Sequence, residues 1–379
     1  MTICSCFLFF AKPEWATAAK YTWIFCMYTL CFSVFQTFYS SAMNPFTLRA
    51  FSNNPIKLRK VSSYGGIITM AGAICMNVAF PRLLARLAIS EGRTAADYPR
   101  QDAWFRLVAI IMTGATMIGL CRFLFVKEDP AIEANDSHAK ISLKEIMELF
   151  SKNKYVWVYA LIMLCYNILT NLAVGAYYFK WIVGNVGAMG VMSAVSVVVL
   201  PVMFVFPKTM KMMGSLCRMV SNFCIIGIVG YLIVFFSGAN VGGVYAGYIL
   251  GSLAVLPLAY YGILFIMNLC NYNEMIGLPR MDGSSGILAG FSQKFGAALG
   301  SGITGLLLQA SGYVSQAGAS SQPASALMMI RIDFALVPVI MLVIIFFCAR
   351  IFGKMELQVT AWEEERRAKQ QAEKAAAEN

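Results

Sequence analysis

Histidine occurs once in these 379 residues, and charged side chains make up only 13% of them. His138 stands alone in a polar stretch, and Cys4 and Cys6 have no histidine or second cysteine pair nearby, which excludes a zinc site. Eleven cysteines are present, but nearly all lie within or at the edge of apolar runs, so no disulfide framework is expected. The 19 acidic residues avoid the middles of the apolar runs delimited below, so no paired-acid constellation forms at depth. Glycine-rich stretches such as 296–305 lie inside an apolar run rather than between a strand and a helix, which excludes a phosphate cradle. An enzyme is not expected, and neither is a cofactor.

Apolar length is what the chain has in excess. Hydrophobic residues make up 59% of the sequence, with a mean hydropathy of +0.67. Complete apolar runs cover 21–43, 61–84 and 105–125, then 155–180, 186–206, 219–236, 241–269, 287–310 and 334–351. A run of about 18 or more apolar residues is long enough to cross a bilayer as a helix. Nine such runs cannot share one water-soluble core, so the chain reads as an all-α polytopic membrane protein. The opening stub at 2–11 is too short to span. It lacks a basic leader, and Lys12-Pro13-Glu14-Trp15 does not look like a cleavage site, so the stub reads as the tail of a helix.

The layout is lopsided around a charged loop at 127–154, with six runs after it and three before. Six spans, a loop and six more is the plan of secondary transporters built from two related halves. The expected organisation is a shortened N-terminal helical half at 1–126, the loop at 127–154, a six-helix half at 155–352 and a charged tail at 353–379. On this reading the first two to three of twelve helices are missing. The net charge of +11 follows the loops: Arg49, Lys57, Arg59 and Lys60, then Lys208, Lys211 and Arg218, then the central loop. That pattern places the central loop and the C-terminus in the cytoplasm of a multi-pass cell-membrane protein and does not call for nucleic acid. The tail from Trp362 onward reads as a solvated helix with Glu-to-Lys/Arg pairing and no further role.

Small residues mark packing faces. Gly243, Gly247 and Gly251 recur every four residues, as do Gly296 and Gly300, which lets helix backbones approach in lipid. Pro45, Pro201, Pro257 and Pro338 mark places where a span can kink.

Lys294 is the foremost candidate for chemistry. It lies about ten residues into an otherwise uncharged span that starts at Ser284, roughly 15 Å deep and so near the bilayer midplane. A charge there costs at least about 2.5 kcal/mol and ordinarily faces a wet cavity or a partner. Asn167 and Asn171 share one helical face and suit either hydroxyl recognition or interhelical hydrogen bonding. Tyr177, Tyr178 and Trp181 suit an interfacial belt, whereas Tyr260 and Tyr261 sit deeper and suit a cavity wall.

Several segments together resemble the glycoside–pentoside–hexuronide:cation symporters, the relatives of melibiose permease. Met267-Asn268-Leu-Cys-Asn271-Tyr272-Asn273-Glu274 followed by Arg280-Met-Asp282-Gly283 is similar to the stretch before that family's eleventh helix. Gln293-Lys294-Phe-Gly296 through Gly300 matches its Gln-Lys and spaced glycines, and Tyr177-Tyr178-Phe179-Lys180 matches the end of its seventh helix. Tyr39 to Pro45 resembles the end of the fourth helix, and 141–154 the central loop. The resemblance implies a major facilitator superfamily fold, here about nine complete helices plus a partial one, and uptake of a sugar by a monomer. It implies coupling to Na⁺ or H⁺. It places Lys294, Gln293, Tyr260, Tyr261, Asn167, Asn171 and Thr37 at the solute, with Asn268, Asn271, Tyr272, Arg280 and Asp282 in coupling or gating. Departures are plain: Asn268 and Asn271 replace the family's acids, Thr37 stands at its fourth-helix acid or amide position, and 64–66 lacks its fifth-helix basic residue. Two other readings stay open, a lysolipid or anionic-solute carrier of the same fold and a non-transporting truncated product.

Overall fold

The computed structural model describes residues 2–8, 15–51, 54–90, 101–125, 143–185, 187–281, 286–314 and 322–377; His138 and Asp282 lie outside them. The long apolar runs of the described residues fall on helices, the run 155–180 being broken at 171–174. Among the described residues, five helical stretches are long and apolar enough to cross a membrane: Thr17–Tyr39, Lys154–Trp181, Leu216–Ser237, Val241–Tyr260 and Ala324–Arg366.

The chain divides into two compact units, one of residues 1–53 and 72–138, the other of 54–71 and 139–379. The first contains α1 (Thr2–Phe7), α2 (Thr17–Tyr28), a π-helical stretch at Thr29–Phe35, α3 (Gln36–Ala50) and α5 (Gln101–Phe125). The Trp23 indole donates to the Phe7 carbonyl at 2.9 Å and meets Trp15 edge-on at 5.5 Å, which ties α1 to α2. Helix α4 (Pro55–Ser90) contributes its first turns to the second unit and the remainder to the first.

The second unit opens with α6 (Leu143–Lys152), where Lys152 bonds Glu148 at 2.6 Å and holds its carboxyl below the usual range. Asn153 then caps α7 (Lys154–Thr170), accepting from the Tyr155 amide at 3.0 Å. Helix α7 stops at Asn171 and resumes as α8 (Gly175–Trp181). After them come α9 (Gly187–Met213), α10 (Leu216–Ser237), α11 (Val241–Tyr260), α12 (Gly262–Met275) and α13 (Ile287–Ala310). The run 241–269 is therefore two helices. Pro257 has no amide hydrogen, and the chain turns at Tyr261 before α12 begins. The last element starts as α14 (Ala324–Arg331), passes through a π turn at Ile332–Leu336, and continues as α15 (Val337–Ala377). Pro338 follows the π turn, where the regular hydrogen-bond ladder is already broken.

The glycine rows form the helix contacts. A Cβ on Gly296 would come within 2.6 Å of the Leu164 carbonyl oxygen, and one on Gly300 within 2.6 Å of the Ile168 oxygen, so α13 lies backbone-close on α7. Gly247 and Gly251 place α11 against α10 in the same way.

The start of the charged tail packs into the second unit. Helix α15 runs without a break out of its apolar stretch, and Glu356 is buried. It accepts from the Ser215 hydroxyl at 2.5 Å and from the Leu216 and Cys217 amides at 2.7 and 3.0 Å, capping α10. A carboxylate offsets both the unpaired amides and the positive end of the helix dipole. Farther on, Lys369 and Glu365 pair at 2.9 Å on the solvated face, as the sequence pattern anticipates.

Candidate functional site

The break between α7 and α8 opens a cavity of about 400 Å³. It is lined by Leu172 to Val174 of the unwound segment and by Gly175 at the start of α8, and its walls include Phe179, Tyr231, Tyr248 and Phe334. Thr170 and Ser252 add hydroxyls. Each donates within its own helix, Thr170 to the Tyr166 carbonyl at 3.0 Å and Ser252 to the Ile249 carbonyl at 2.8 Å. That leaves their oxygens able to accept from a ligand. The Tyr231 ring reaches the wall because Gly251 has no side chain; a Cβ there would lie 2.8 Å from Cε2. Phe334 is fixed by stacking on Tyr178 at 4.3 Å, and Tyr178 in turn donates to the Gly238 carbonyl at 2.7 Å. Size, apolar rings and a few hydroxyls suit a small polyhydroxylated solute.

Asn167 and Asn171 border this region but are turned to structure. Asn167 donates to the Met163 carbonyl at 2.8 Å and Asn171 to the Asn167 carbonyl at 2.9 Å, and both pack against the glycine face of α13. Tyr261 is buried and bonded through its hydroxyl to Ser63, while Tyr260 is half-buried beside it. Lys294 and Gln293 lie on the exposed side of α13, next to Phe291 and Phe295, whose rings are parallel at 6.0 Å. Thr37, in the first unit, is exposed and bonds the Ser33 carbonyl one turn back.

The motif before α13 gathers into a polar cluster at the far end of α12. The Arg280 guanidinium donates to Asn271 Oδ1 at 2.7 Å and lies 3.6 Å from Glu274. Asn271 donates to Glu363 of α15, and Arg366 bonds Glu274 at 2.8 Å. Asn273 donates to the Arg280 carbonyl at 3.2 Å and accepts from Asn153 at 2.7 Å. Tyr272 meets Tyr155 edge-on at 5.0 Å. Asn268 lines an adjoining cavity of about 280 Å³ with Arg59, Glu356, Glu363 and Glu364. Asn271 and Arg280 thus come together, with partners from the tail that the sequence did not suggest.

The family model described as MFS/sugar transport protein matches residues 1–352. The chain belongs to that family. It is 25% identical over 346 residues to the isoprimeverose transporter of Lactiplantibacillus pentosus, covering 88% of this chain and 67% of that one. It is 24% identical over 352 residues to the uncharacterized symporter YnaJ of Bacillus subtilis (strain 168), covering 89% and 71%. Among solved structures, the major facilitator superfamily transporter FucP in its outward conformation matches with a TM-score of 0.63 at 14% identity, covering 93% and 81%. That last likeness shows the fold. The family is one of multi-pass membrane transporters rather than enzymes, which bears out the reading of the chain as a carrier.

One buried acid escaped the sequence reading. Asp333 is fully buried in the π turn, inside the membrane-length stretch Ala324–Arg366. The expectation of no acid at depth therefore fails. Delimiting the last run from Phe334 placed Asp333 just outside it, whereas counting from Ala324 makes it the tenth residue of the stretch. Tyr231, Tyr248 and Ser252 were also missed. Tyr248 and Ser252 are four residues apart, a polar pair on one face of an otherwise apolar helix.

Proposed function

We propose that the chain carries a sugar or glycoside across the cell membrane by symport with H⁺ or Na⁺, using the cavity at the α7–α8 break as part of its solute site. The observation that carries this reading is the meeting of unwound backbone, hydroxyls and aromatic rings in one cavity of about 400 Å³. Backbone groups freed at a broken helix are tolerated in a membrane protein where they line a cavity, and in two-half transporters such breaks sit at the solute. The relatives named for isoprimeverose transport and for symport support the same reading. Lys294 and Gln293, on the open face of α13, contribute a cationic and an amide contact to the solute. The charge pattern of the loops supports a cytoplasmic central loop and C-terminus.

Uptake of isoprimeverose into proteoliposomes tests the reading. Ser252→Ala and Tyr248→Phe each remove one hydroxyl and are expected to raise the half-saturating sugar concentration about twofold to twelvefold, the equivalent of one hydrogen bond. Lys294→Ala is expected to reduce uptake as well. Absence of sugar uptake under every ion gradient rejects the reading.

A further inference from the structure

The smaller cavity, of about 280 Å³, shares no lining residue with the solute cavity. Its polar groups come from the first turns of α4, from α12 and from the tail end of α15, all within the second unit. Asn268 of α12 lines it and is only 8% exposed, yet among the described residues no group hydrogen-bonds its side-chain amide. An amide brings two N–H donors and an acceptor, and a buried one left unmet is costly. The amide calls for a partner inside the cavity.

The charged groups on the walls are held apart in the same way. Arg59 of α4 is half-buried; its Nε is sealed from water without a hydrogen bond, and no described acid pairs with its guanidinium. Glu364 of α15 likewise has no ion pair among the described residues. Glu363 accepts from Asn271, and a carboxylate has room to accept more. Nearby groups are already engaged: Glu356 commits both oxygens to the start of α10, and Arg280 and Arg366 bond Asn271 and Glu274.

These demands select one kind of ligand. An anion alone would meet Arg59 but also three carboxylates. A cation alone would suit the carboxylates and leave Arg59 without a counter-charge. A metal ion lacks its ligands, because no three acids among the described residues converge closely enough to hold one. A molecule with both charges meets every demand. Its anionic oxygens accept charge-assisted bonds from Arg59, its ammonium donates to Glu363 and Glu364, and the Asn268 amide bonds to either end. Met210, Leu264 and Met267 offer an apolar wall for a short methylene stem, and the volume admits roughly ten non-hydrogen atoms.

We propose that this cavity binds a small zwitterion, a primary ammonium joined by a short methylene stem to a carboxylate or phosphate. The site stands apart from the solute cavity and does not depend on the sugar reading. Free ω-amino acids, phosphoethanolamine and the headgroup of phosphatidylethanolamine share this chemistry.

Calorimetric titration of the full chain in phosphatidylcholine nanodiscs tests the site, with γ-aminobutyrate and O-phosphoethanolamine as probes. Saturable binding of at least one is expected, with a Kd of about 1 mM or below and a matching rise in thermal unfolding temperature. Butyrate, butylamine and ethyl phosphate each lack one charge and are expected to bind about tenfold more weakly or worse. Arg59→Gln is expected to weaken the zwitterion about tenfold, and Asn268→Leu about twofold to twelvefold. Glu364→Gln alters an exposed side chain that folding does not need, and is expected to weaken it about twofold to fivefold. Phosphatidylethanolamine nanodiscs separate the two sources: probes excluded there identify a lipid headgroup as the occupant, and probes that bind equally identify a free solute. Absence of both saturable heat and thermal stabilisation in phosphatidylcholine overturns the proposal. So does equal binding of the singly charged analogues, or binding that all three variants leave unchanged.

Discussion

Gly230 and Gly247 meet backbone to backbone: a Cβ on either would come within 2.5 Å of the other's carbonyl oxygen. This contact seats α10 on α11 and, through Gly251, lets Tyr231 reach the cavity wall. In lipid the apolar side chains gain nothing by leaving water, so close backbone packing of this kind carries much of the association.

Gly230→Ala or Gly247→Ala must therefore push the two helices apart. A loss of at least about 1–3 kcal/mol is expected, with thermal unfolding in detergent shifted downward accordingly. Gly302→Ala is the control, because nothing lies within 4 Å of its Cβ position. Equal behaviour of Gly247→Ala and Gly302→Ala would show that the close approach does not hold the unit together.

Glu356 offers a second measurement. Glu356→Ala strands the Ser215 hydroxyl and two amides at the start of α10 and is expected to cost about 2–3 kcal/mol. Glu356→Gln keeps one acceptor oxygen, loses the charge and sets an NH2 against a donor that the other carboxylate oxygen served, so its cost is about 1–2 kcal/mol. If the two variants unfold at the same temperature, charge rather than hydrogen bonding dominates the cap.

The cluster around Arg280 is partly open to water, so its strength depends on salt. Arg280→Ala is expected to cost about 1 kcal/mol or less at low ionic strength, and the deficit is expected to shrink as salt rises. Arg366→Ala acts on the same Glu274, so the double variant should cost less than the sum of the singles. Strict additivity would show that Glu274 does not link the two arginines.

Much of the architecture is legible in local pattern. The run 219–236 lies within Leu216–Ser237, and the four-residue glycine rows at 243–251 and 296–300 are indeed packing faces. Apolar length and helical spacing are properties of neighbours in sequence, so they can be read without coordinates. The candidate site was harder to read. Asn167 and Asn171 look like solute contacts by type and spacing, yet their amides bond their own helix carbonyls. Asp333 was passed over because burial depends on where a helix begins, and the apolar pattern alone does not set that boundary.

The order of residues determined that this chain is helical, membrane-embedded and related to sugar carriers, because hydropathy, charge placement and short motifs are written along one dimension. Tertiary structure decided which glycine meets which carbonyl, that Glu356 caps α10, and that Asp333 is buried facing Thr304. Those outcomes depend on how helices far apart in sequence are rotated and stacked, and a rotation of a single residue position, about 100°, would exchange one set of partners for another.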